Sequence, residues 1–508
     1  MKTFISTTIL SLLMAIPVLA QHKSAKRGIG WDEKTRSVTD APVDKMLPGV
    51  SWMYNWGPAP NGTAANLGTA DGMHFAPMCW NGAFNATIIR NYISTHAGVK
   101  YLLGFNEPNF SAQANMTPEA AASRWPEVEK IAVDYGLKLV APALNFTAEK
   151  VGGRLWSPYE WLDEFIRQYE VKFGKLPVMD CLALHCYMNW FSANTWFATE
   201  YFYADLYDTS KKDVYGRYPN IVKFLDAYKA ANGHFPRMML TEFCSWENDG
   251  TITGADFQID QMTQKIQKLE QSDLIEGYAW FMANGRAADY PYFSIFETNT
   301  ANSPLSVLGT VYTYMSSFDT DRFYAPDELV DAKDYVDAST DEQQVRLRPN
   351  TESGSSLPLQ VEMLQGSWAK YQLSVPAAGE YKFTLRIKSS ADSPVWLYVD
   401  GKKSATPVLA STDGEWADRD FTTVLSDGSH SIMLYNGGNI PVFVNSFRFQ
   451  AQSSSIVLPS GAGASGKTEV YSVGGMHIAT ASSLSELNLD KGIYIVITPS
   501  GEKKKIIH

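Results

Sequence analysis

The sequence predicts an α/β chain in three parts: a (β/α)8 TIM barrel, an antiparallel β-sandwich and a small C-terminal β unit. Three patterns carry that expectation. Over residues 27–318, eight short continuous apolar runs alternate with helix-patterned segments, as expected of strands buried on both faces of a parallel sheet. After residue 320 the pattern turns to short alternating strands punctuated by Gly, Asp and Pro, which reads as antiparallel sheet. A Ser- and Gly-rich stretch then sets off residues 468–508, a composition typical of flexible linkers.

In chain order, residues 1–20, "MKTFISTTILSLLMAIPVLA", join Lys2 to an apolar run and a Val18-Leu19-Ala20 end. They read as a signal peptide cleaved before Gln21, so the protein is expected to be secreted, or held at the cell surface or in the periplasm. Residues 21–320 form the barrel domain, with runs at 27–32, 49–56, 74–80, 101–108, 139–145, 181–188, 237–243 and 275–282. Between them, Thr117 caps a helix with Pro118 at its first position, and Ser157 with Glu160 makes a capping box that opens another, stopped by Gly174. "NIVKFLDAYKAANG" and "FQIDQMTQKIQKLEQ" precede the last two runs, and Ser303-Pro304 opens a final helix. An open doubly wound sheet is the alternative, but no GxGxxG follows any run. Residues 325–450 form the sandwich, 452–467 the linker and 468–508 the terminal unit.

Composition narrows the function. At 508 residues the chain exceeds one ordinary core. Aromatic residues make up 13%, with 14 Trp and 26 Tyr, which suits stacking on flat ligands such as sugars. A net charge of −11 argues against nucleic acid and anionic membranes as partners. No segment after the signal peptide approaches 18 consecutive apolar residues, so no membrane span is expected. A monomer is expected. Cys79, Cys181, Cys186 and Cys244 fit no zinc or redox spacing and read as buried thiols. With eight His and no HExxH, no metal and no cofactor is expected. Sequons stand at Asn61, Asn85, Asn115 and Asn145.

Two stretches carry chemistry. "KYLLGFNEPNF" runs apolar residues into Asn106-Glu107-Pro108, and "RMMLTEFCSW" does the same at Glu242. A charge closing a buried segment is costly unless it is paired or has work to do. In a TIM barrel the working residues sit where strands end. Glu107 closes the fourth strand and Glu242 the seventh. Two carboxylates there can flank a glycosidic bond, one protonating the leaving oxygen while the other attacks the anomeric carbon. A lone strand-end Glu is more often solvated or salt-bridged, and it is the matched pair that carries the reading. Glu247 and Asp249, in the loop beyond Glu242, compete with it for the nucleophile's place.

Other residues are singled out by position. Asn106 is placed to hydrogen-bond a sugar 2-hydroxyl, and His185 and Tyr187 end the strand beside Glu242. Trp52, Tyr54, Trp56, Trp80, Trp190, Trp246 and Trp280 lie at or near strand ends, where rings stack on sugar faces. About half of these rings belong to packing, because neighbouring strand positions point to opposite faces. Asn55 and Asn145 are candidates for hydroxyl contacts.

"GVSWMYNWGP", "GFNEPN", "LHCY" and "TEFCSW", in that order at strand ends, resemble the clan-A glycoside hydrolases and, within them, glycoside hydrolase family 128, whose members act on β-1,3-glucans. The resemblance spans about residues 27–318. It implies a retaining endo-β-1,3-glucanase acting on polysaccharide or oligosaccharide, with Glu107 as acid/base and Glu242 as nucleophile. The family also holds exo and binding-only members, so a non-catalytic glucan-binding protein stays open, as does another clan-A specificity. Residues 325–449 resemble family 6 carbohydrate-binding modules, which implies Trp416 and Asn445 as accessory binding residues. Lys333 stands where that family usually has an acidic residue. "VYSVGGMHIA", "LDKGIYIV" and the Lys-rich end resemble the C-terminal sorting domains of type IX secretion.

Overall fold

The computed structural model describes residues 21–32, 42–60, 72–145, 147–187, 217–245, 252–284, 292–298, 300, 302–452, 467–472, 477–483, 486–487, 489, 493–500 and 502–507. The signal-peptide segment 1–20, most of the 452–467 linker, Asn61, Trp190, Trp246, Glu247 and Asp249 lie outside them.

Among the described residues the first ten strands are β1 (Arg27–Gly30), β2 (Trp52–Tyr54), β3 (His74–Phe75), β4 (Tyr101–Leu103), β5 (Lys138–Val140), β6 (Glu149–Val151), β7 (Arg154–Trp156), β8 (Cys181–Cys186), β9 (Arg237–Phe243) and β10 (Ile275–Trp280). Eight of them, one from each apolar run, pair in parallel in the order β3-β2-β1-β10-β9-β8-β5-β4. The two edge strands meet through a parallel bridge between Met78 and Leu103, with Cys79 N–H donating to Leu103 O at 2.9 Å and Leu103 N–H to Pro77 O at 2.8 Å. The remaining pair, β6 and β7, forms an antiparallel hairpin that the apolar pattern does not anticipate.

Helices cover the sheet: α1 (Ala86–Thr95), α2 (Pro118–Tyr135), α3 (Pro158–Phe173), α4 (Pro219–Asn232), α5 (Ala255–Gln271) and α6 (Val307–Tyr314). Their ends obey local chemistry. Thr117 accepts from Ala120 N–H to open α2, and the reciprocal Ser157–Glu160 box opens α3. Gly136 and Gly174 close these helices at φ of 64° and 67°, left-handed values that glycine adopts without a Cβ clash. The apolar stripe of α3 (Leu162, Phe165, Ile166, Tyr169) is buried.

Trp52, Tyr54, Met78, Tyr101, Leu103, Val140 and Met239 form one buried cluster, with Trp56 and Trp80 packed partly exposed against it. Trp52 fills this interior over β1, where a Cβ on Gly28 would lie 2.2 Å from its ring. A layered filling of this kind fixes where the strands end, and thus where the side chains beyond them point.

From residue 330 to 451 the chain forms two six-stranded antiparallel sheets. Their strands alternate buried with part-exposed positions, as at Trp368–Val375 and Gly379–Lys388. Residues 468–507 add a four-stranded antiparallel sheet around Val470, Leu489 and Val496. The chain divides into two compact units, one of residues 1–374, 384–420 and 429–448 and one of 375–383, 421–428 and 449–508. The first unit therefore holds the parallel sheet together with most of residues 330–451. Within that unit Arg348 grips Asp260 of α5 through two nitrogens at 2.8 and 3.2 Å, and Gln267 Nε2 donates to Ala338 O at 2.8 Å. All four cysteines are buried and none forms a disulfide. No helix among the described residues is long and apolar enough to cross a membrane.

Candidate active site

Strand register sets the site. In β8 and β9, His185 pairs with Glu242, so both side chains leave the sheet on the same face. Glu107 lies past the end of β4, where its N–H donates to Ala143 O at 2.7 Å and its backbone turns left-handed at φ 45°. Trp56, past the end of β2, is also left-handed at φ 58°. Non-glycine residues in this region carry strain, which collects at functional sites.

These elements bring Glu107, His185 and Glu242 together, all buried, with one ligand atom from each lying within 4.8 Å of the others. His185 Nδ1 lies 2.8 Å from Glu107 Oε1 and 3.3 Å from Glu242 Oε2, and Nε2 lies 3.0 Å from Thr241 Oγ1. Two carboxylate acceptors facing Nδ1 require the proton there. Glu107 Oε1 also accepts from Asn145 Nδ2 at 2.9 Å, while its Oε2 has no hydrogen-bond partner among the described residues. Glu242 accepts through both oxygens, from Trp56 Nε1 at 2.6 Å on Oε1 and from the Tyr187 hydroxyl on Oε2.

These contacts set the electrostatics. Burial pushes the Glu242 carboxyl above the ordinary carboxylate range, Glu107 adds to this, and His185, Tyr187 and Trp56 oppose it. Burial works against the His185 cation, but the Glu242 and Glu107 carboxylates outweigh it and raise the imidazole above its ordinary value. Burial and the same carboxylates hold the Tyr187 and Tyr54 hydroxyls well above the phenol range, so both remain donors. The raised Glu242 value favours a neutral acid, whereas an indole N–H and a phenol O–H aimed at its two oxygens favour the anion. The donors hold both oxygens as acceptors and offset part of the burial, which leaves the carboxyl raised.

The expected residues divide by role. Asn106 is 3% exposed, with Oδ1 sealed from solvent and without a hydrogen-bond partner among the described residues, and its Nδ2 donates to Gln113 Oε1 at 3.4 Å. Asn145 braces Glu107, and its own backbone is clamped by Asn109 through two hydrogen bonds of 2.9 Å. Trp56 and Trp80 are half-buried. Trp52 and Trp280 are fully buried, their indole N–H groups given to Lys26 O and Phe293 O, which leaves neither a free face for a sugar. Tyr54 is likewise buried and donates to Thr241 O at 2.7 Å. Asn55 shapes its own loop, accepting from Gly57 N–H and donating to Ala59 O.

In the later sheets Trp416 is half-buried beneath the Lys388 ammonium, 5.0 Å from its ring centre. Asn445 is 1% exposed and engaged by Asn350 and Glu352. The Lys333 ammonium lies between Asp331 and Asp334 and supplies the positive charge there. Asn109 and Thr241 lie inside GFNEPN and TEFCSW but are not singled out by them, and Phe281 lies outside every quoted motif. Phe281 packs edge-on to Trp56 at 5.8 Å and to Tyr187 at 5.4 Å. Its one sequence signal is its place just beyond the last strand.

A glutamate ringed by donors, facing a second glutamate with an open oxygen at the C-terminal rim of a parallel α/β sheet, defines a glycoside hydrolase. The chain belongs to the family described as the glycosyl hydrolase catalytic core, whose model matches residues 28–312. It is 30% identical to a family 128 subgroup II endo-β-1,3-glucanase from Pseudomonas viridiflava, covering 57% of this chain and 98% of that one, with a TM-score of 0.42. That sequence identity makes the catalytic part of the chain a family 128 domain. A family 128 subgroup V exo-β-1,3-glucanase from Cryptococcus neoformans is 23% identical over 57% of this chain and 98% of that one, with a TM-score of 0.38. Alkali-sensitive linkage protein 1 of Schizosaccharomyces pombe is 24% identical over 266 residues, 51% of this chain. The match spans 39% of that relative's length.

Proposed function

We propose that the protein is an exported, retaining endo-β-1,3-glucanase. The observation that carries this is the approach of Glu107 and Glu242 oxygens to within 4.8 Å. Direct displacement with retention needs carboxyl groups about 5–5.5 Å apart, whereas inversion needs about 6.5–9.5 Å to admit a water. The 30% identity to a β-1,3-glucanase supports the substrate class.

In this mechanism Glu107, with Oε2 open, protonates the glycosidic oxygen as the bond to the anomeric carbon breaks. Glu242 attacks that carbon from the opposite face and forms a glycosyl ester. Glu107 then takes a proton from water, which attacks the same carbon and releases Glu242. Asn106, next to Glu107, hydrogen-bonds the sugar 2-hydroxyl, a bond that tightens as positive charge builds on the ring. The parallel sheet acts as a closed (β/α)8 barrel, the later antiparallel sheets as a sandwich, and residues 1–20 and 468–508 as export signals, on a monomeric chain.

The test is to incubate the mature chain with laminarin, curdlan, mannan and xylan while following product sizes and the anomer first released. Short β-1,3 oligomers appearing early with the β-anomer are expected. Release of single units from one end makes the attack exo, the α-anomer defeats retention, and turnover of mannan or xylan alone defeats the substrate class. Retention on curdlan without hydrolysis makes the chain a binding protein.

A further inference from the structure

We infer a second, non-catalytic saccharide site where α5 meets the first strands of the antiparallel sheets. A cleft of about 360 Å³ opens there, lined by Gln267, Gln271, Asp337, Thr340, Gln343 and Trp368, among others. That volume lies at the lower end of small-ligand pockets, which suits the end of an oligosaccharide rather than a long chain.

Its lining is polar, with Lys268 beside three glutamines and Asp337, which suits a polyol. The charge of Asp337 is engaged inside the wall, accepting from Gln267 at 3.3 Å, Gln271 at 3.1 Å and the Lys370 ammonium at 3.1 Å. Gln267 also donates to Ala338 O at 2.8 Å. Both glutamines are thereby held by their amide nitrogens, and neither Oε1 has a hydrogen-bond partner among the described residues. Gln267 is 5% exposed and lines the cleft, and its Oε1 is not among the solvent-sealed atoms left unpaired. Two oriented acceptors beside an indole suit hydroxyls on the edge of a pyranose whose face rests on a ring. The Trp368 backbone N–H donates to Ser339 Oγ at 2.9 Å, and the Lys370 ammonium covers one side of its ring at 5.2 Å from the centre.

The walls are already set. Arg348 to Asp260 and Asp341 N–H to Gln264 Oε1 at 3.1 Å lock the sheet edge against α5, so little ordering is required on binding. The cleft is also separate from the catalytic rim. Helix α5 returns from the end of β9 to the start of β10, and Lys26, at the foot of β1, holds the carbonyls of Leu269, Glu270 and Ser272. The end of α5 therefore marks the rim opposite Glu107 and Glu242. This proposal rests on the glucanase reading for its ligand, a β-1,3-gluco-oligosaccharide.

The test uses the full chain carrying Glu242→Gln, titrated calorimetrically with laminarihexaose, and the same chain with Trp368→Ala or Gln271→Ala added. Two binding events are expected, with the weaker one abolished by Trp368→Ala and weakened about 3- to 10-fold by Gln271→Ala, an exposed position where folding is not at risk. In otherwise wild-type protein, Trp368→Ala is expected to raise KM on insoluble curdlan several-fold while leaving kcat on laminarihexaose unchanged. One event in all three chains, or curdlan kinetics indifferent to both changes, overturns the second site. Should wild type hydrolyse only xylan or mannan, the catalytic reading fails, and the same titration with the matching oligosaccharide still decides the cleft.

Discussion

The Trp56 indole N–H meets Glu242 Oε1 at 2.6 Å, joining residues 186 apart in sequence, one just past β2 and the other in β9. An N–H aimed at a carboxylate favours the anion that attack requires. Trp56→Phe keeps a ring and removes the donor. Loss of one hydrogen bond to a charged group costs about 1.5–3 kcal/mol, or roughly 10- to 100-fold in kcat if the bond strengthens toward the transition state. KM should change little. The acid limb of the pH profile should move to higher pH, because Glu242 then holds its proton more tightly. An unmoved limb would mean that the indole serves packing alone.

Glu107→Gln and Glu242→Gln should each abolish laminarin hydrolysis, with losses of about 10² to 10⁴ for the acid/base, and should then differ in rescue. A substrate with a good leaving group needs no proton, so Glu107→Gln should still form the glycosyl ester, which azide intercepts as a β-glycosyl azide. The nucleophile variant Glu242→Ala should accept azide directly and give the α-product. Product stereochemistry by NMR reads the assignment, and the reverse pattern exchanges the two roles.

Much of this is legible in the sequence because a parallel sheet buried on both faces writes itself as apolar runs, and every one of the eight runs holds a sheet strand. The β6–β7 hairpin is not, since three-residue strands such as Glu149–Val151, only one residue of which is buried, have too little length for a period. The paired glutamates are visible as charges closing apolar runs. Roles among the aromatics are not. Trp52 and Trp56 share alternation and parity, and only depth separates a residue filling the interior from one at the rim. Asn145 reads as a ligand contact and proves to brace Glu107, because what it touches is set by β4 packing beside β5 and not by its own neighbours.

Glu107, His185 and Glu242 present oxygen and nitrogen atoms close enough to hold a divalent ion. The donors Asn145, Trp56 and Tyr187 already point at the carboxylate oxygens that would bind it. A metal would compete with them at every carboxylate oxygen of the pair except Glu107 Oε2, and with the proton on His185 Nδ1. Exhaustive dialysis against EDTA should leave kcat and KM on laminarin unchanged. Loss of activity restored by zinc or manganese would turn the trio into a metal centre.

His185 sits between two carboxylates that would otherwise repel in a buried site. His185→Asn removes the group whose charge lowers the Glu242 pKa, so that carboxyl should rise further and the acid limb of kcat/KM should shift to higher pH. The imidazole's own raised pKa sets a second sign. A group raised on folding contributes stability that is complete below its unfolded value and fades as pH climbs through the folded one. Wild type should therefore lose part of its margin over His185→Asn between pH 6 and alkaline pH (about the range spanning an ordinary and a raised imidazole). A constant difference in melting temperature across that range would show the imidazole to be neutral throughout.

Burial of Glu242 implies that catalysis is held at the expense of stability. Its carboxyl pKa is raised in the folded state, so the native protein binds the proton more tightly than the unfolded chain does. The stabilisation from that proton is complete below the unfolded value and is lost as pH rises through the folded one. Near neutrality the buried anion is a net cost, offset only in part by Trp56, Tyr187 and His185. Gln keeps the shape and removes the charge, and the Tyr187 hydroxyl can turn to accept from its amide. Glu242→Gln should thus melt about 2 °C or more above wild type at neutral pH, with the gap closing toward the unfolded carboxyl range. Thermal melts at half-unit steps from acid to neutral would read it. A variant that melts lower at neutral pH, or keeps a constant gap, would place the anion among the groups that stabilise the fold.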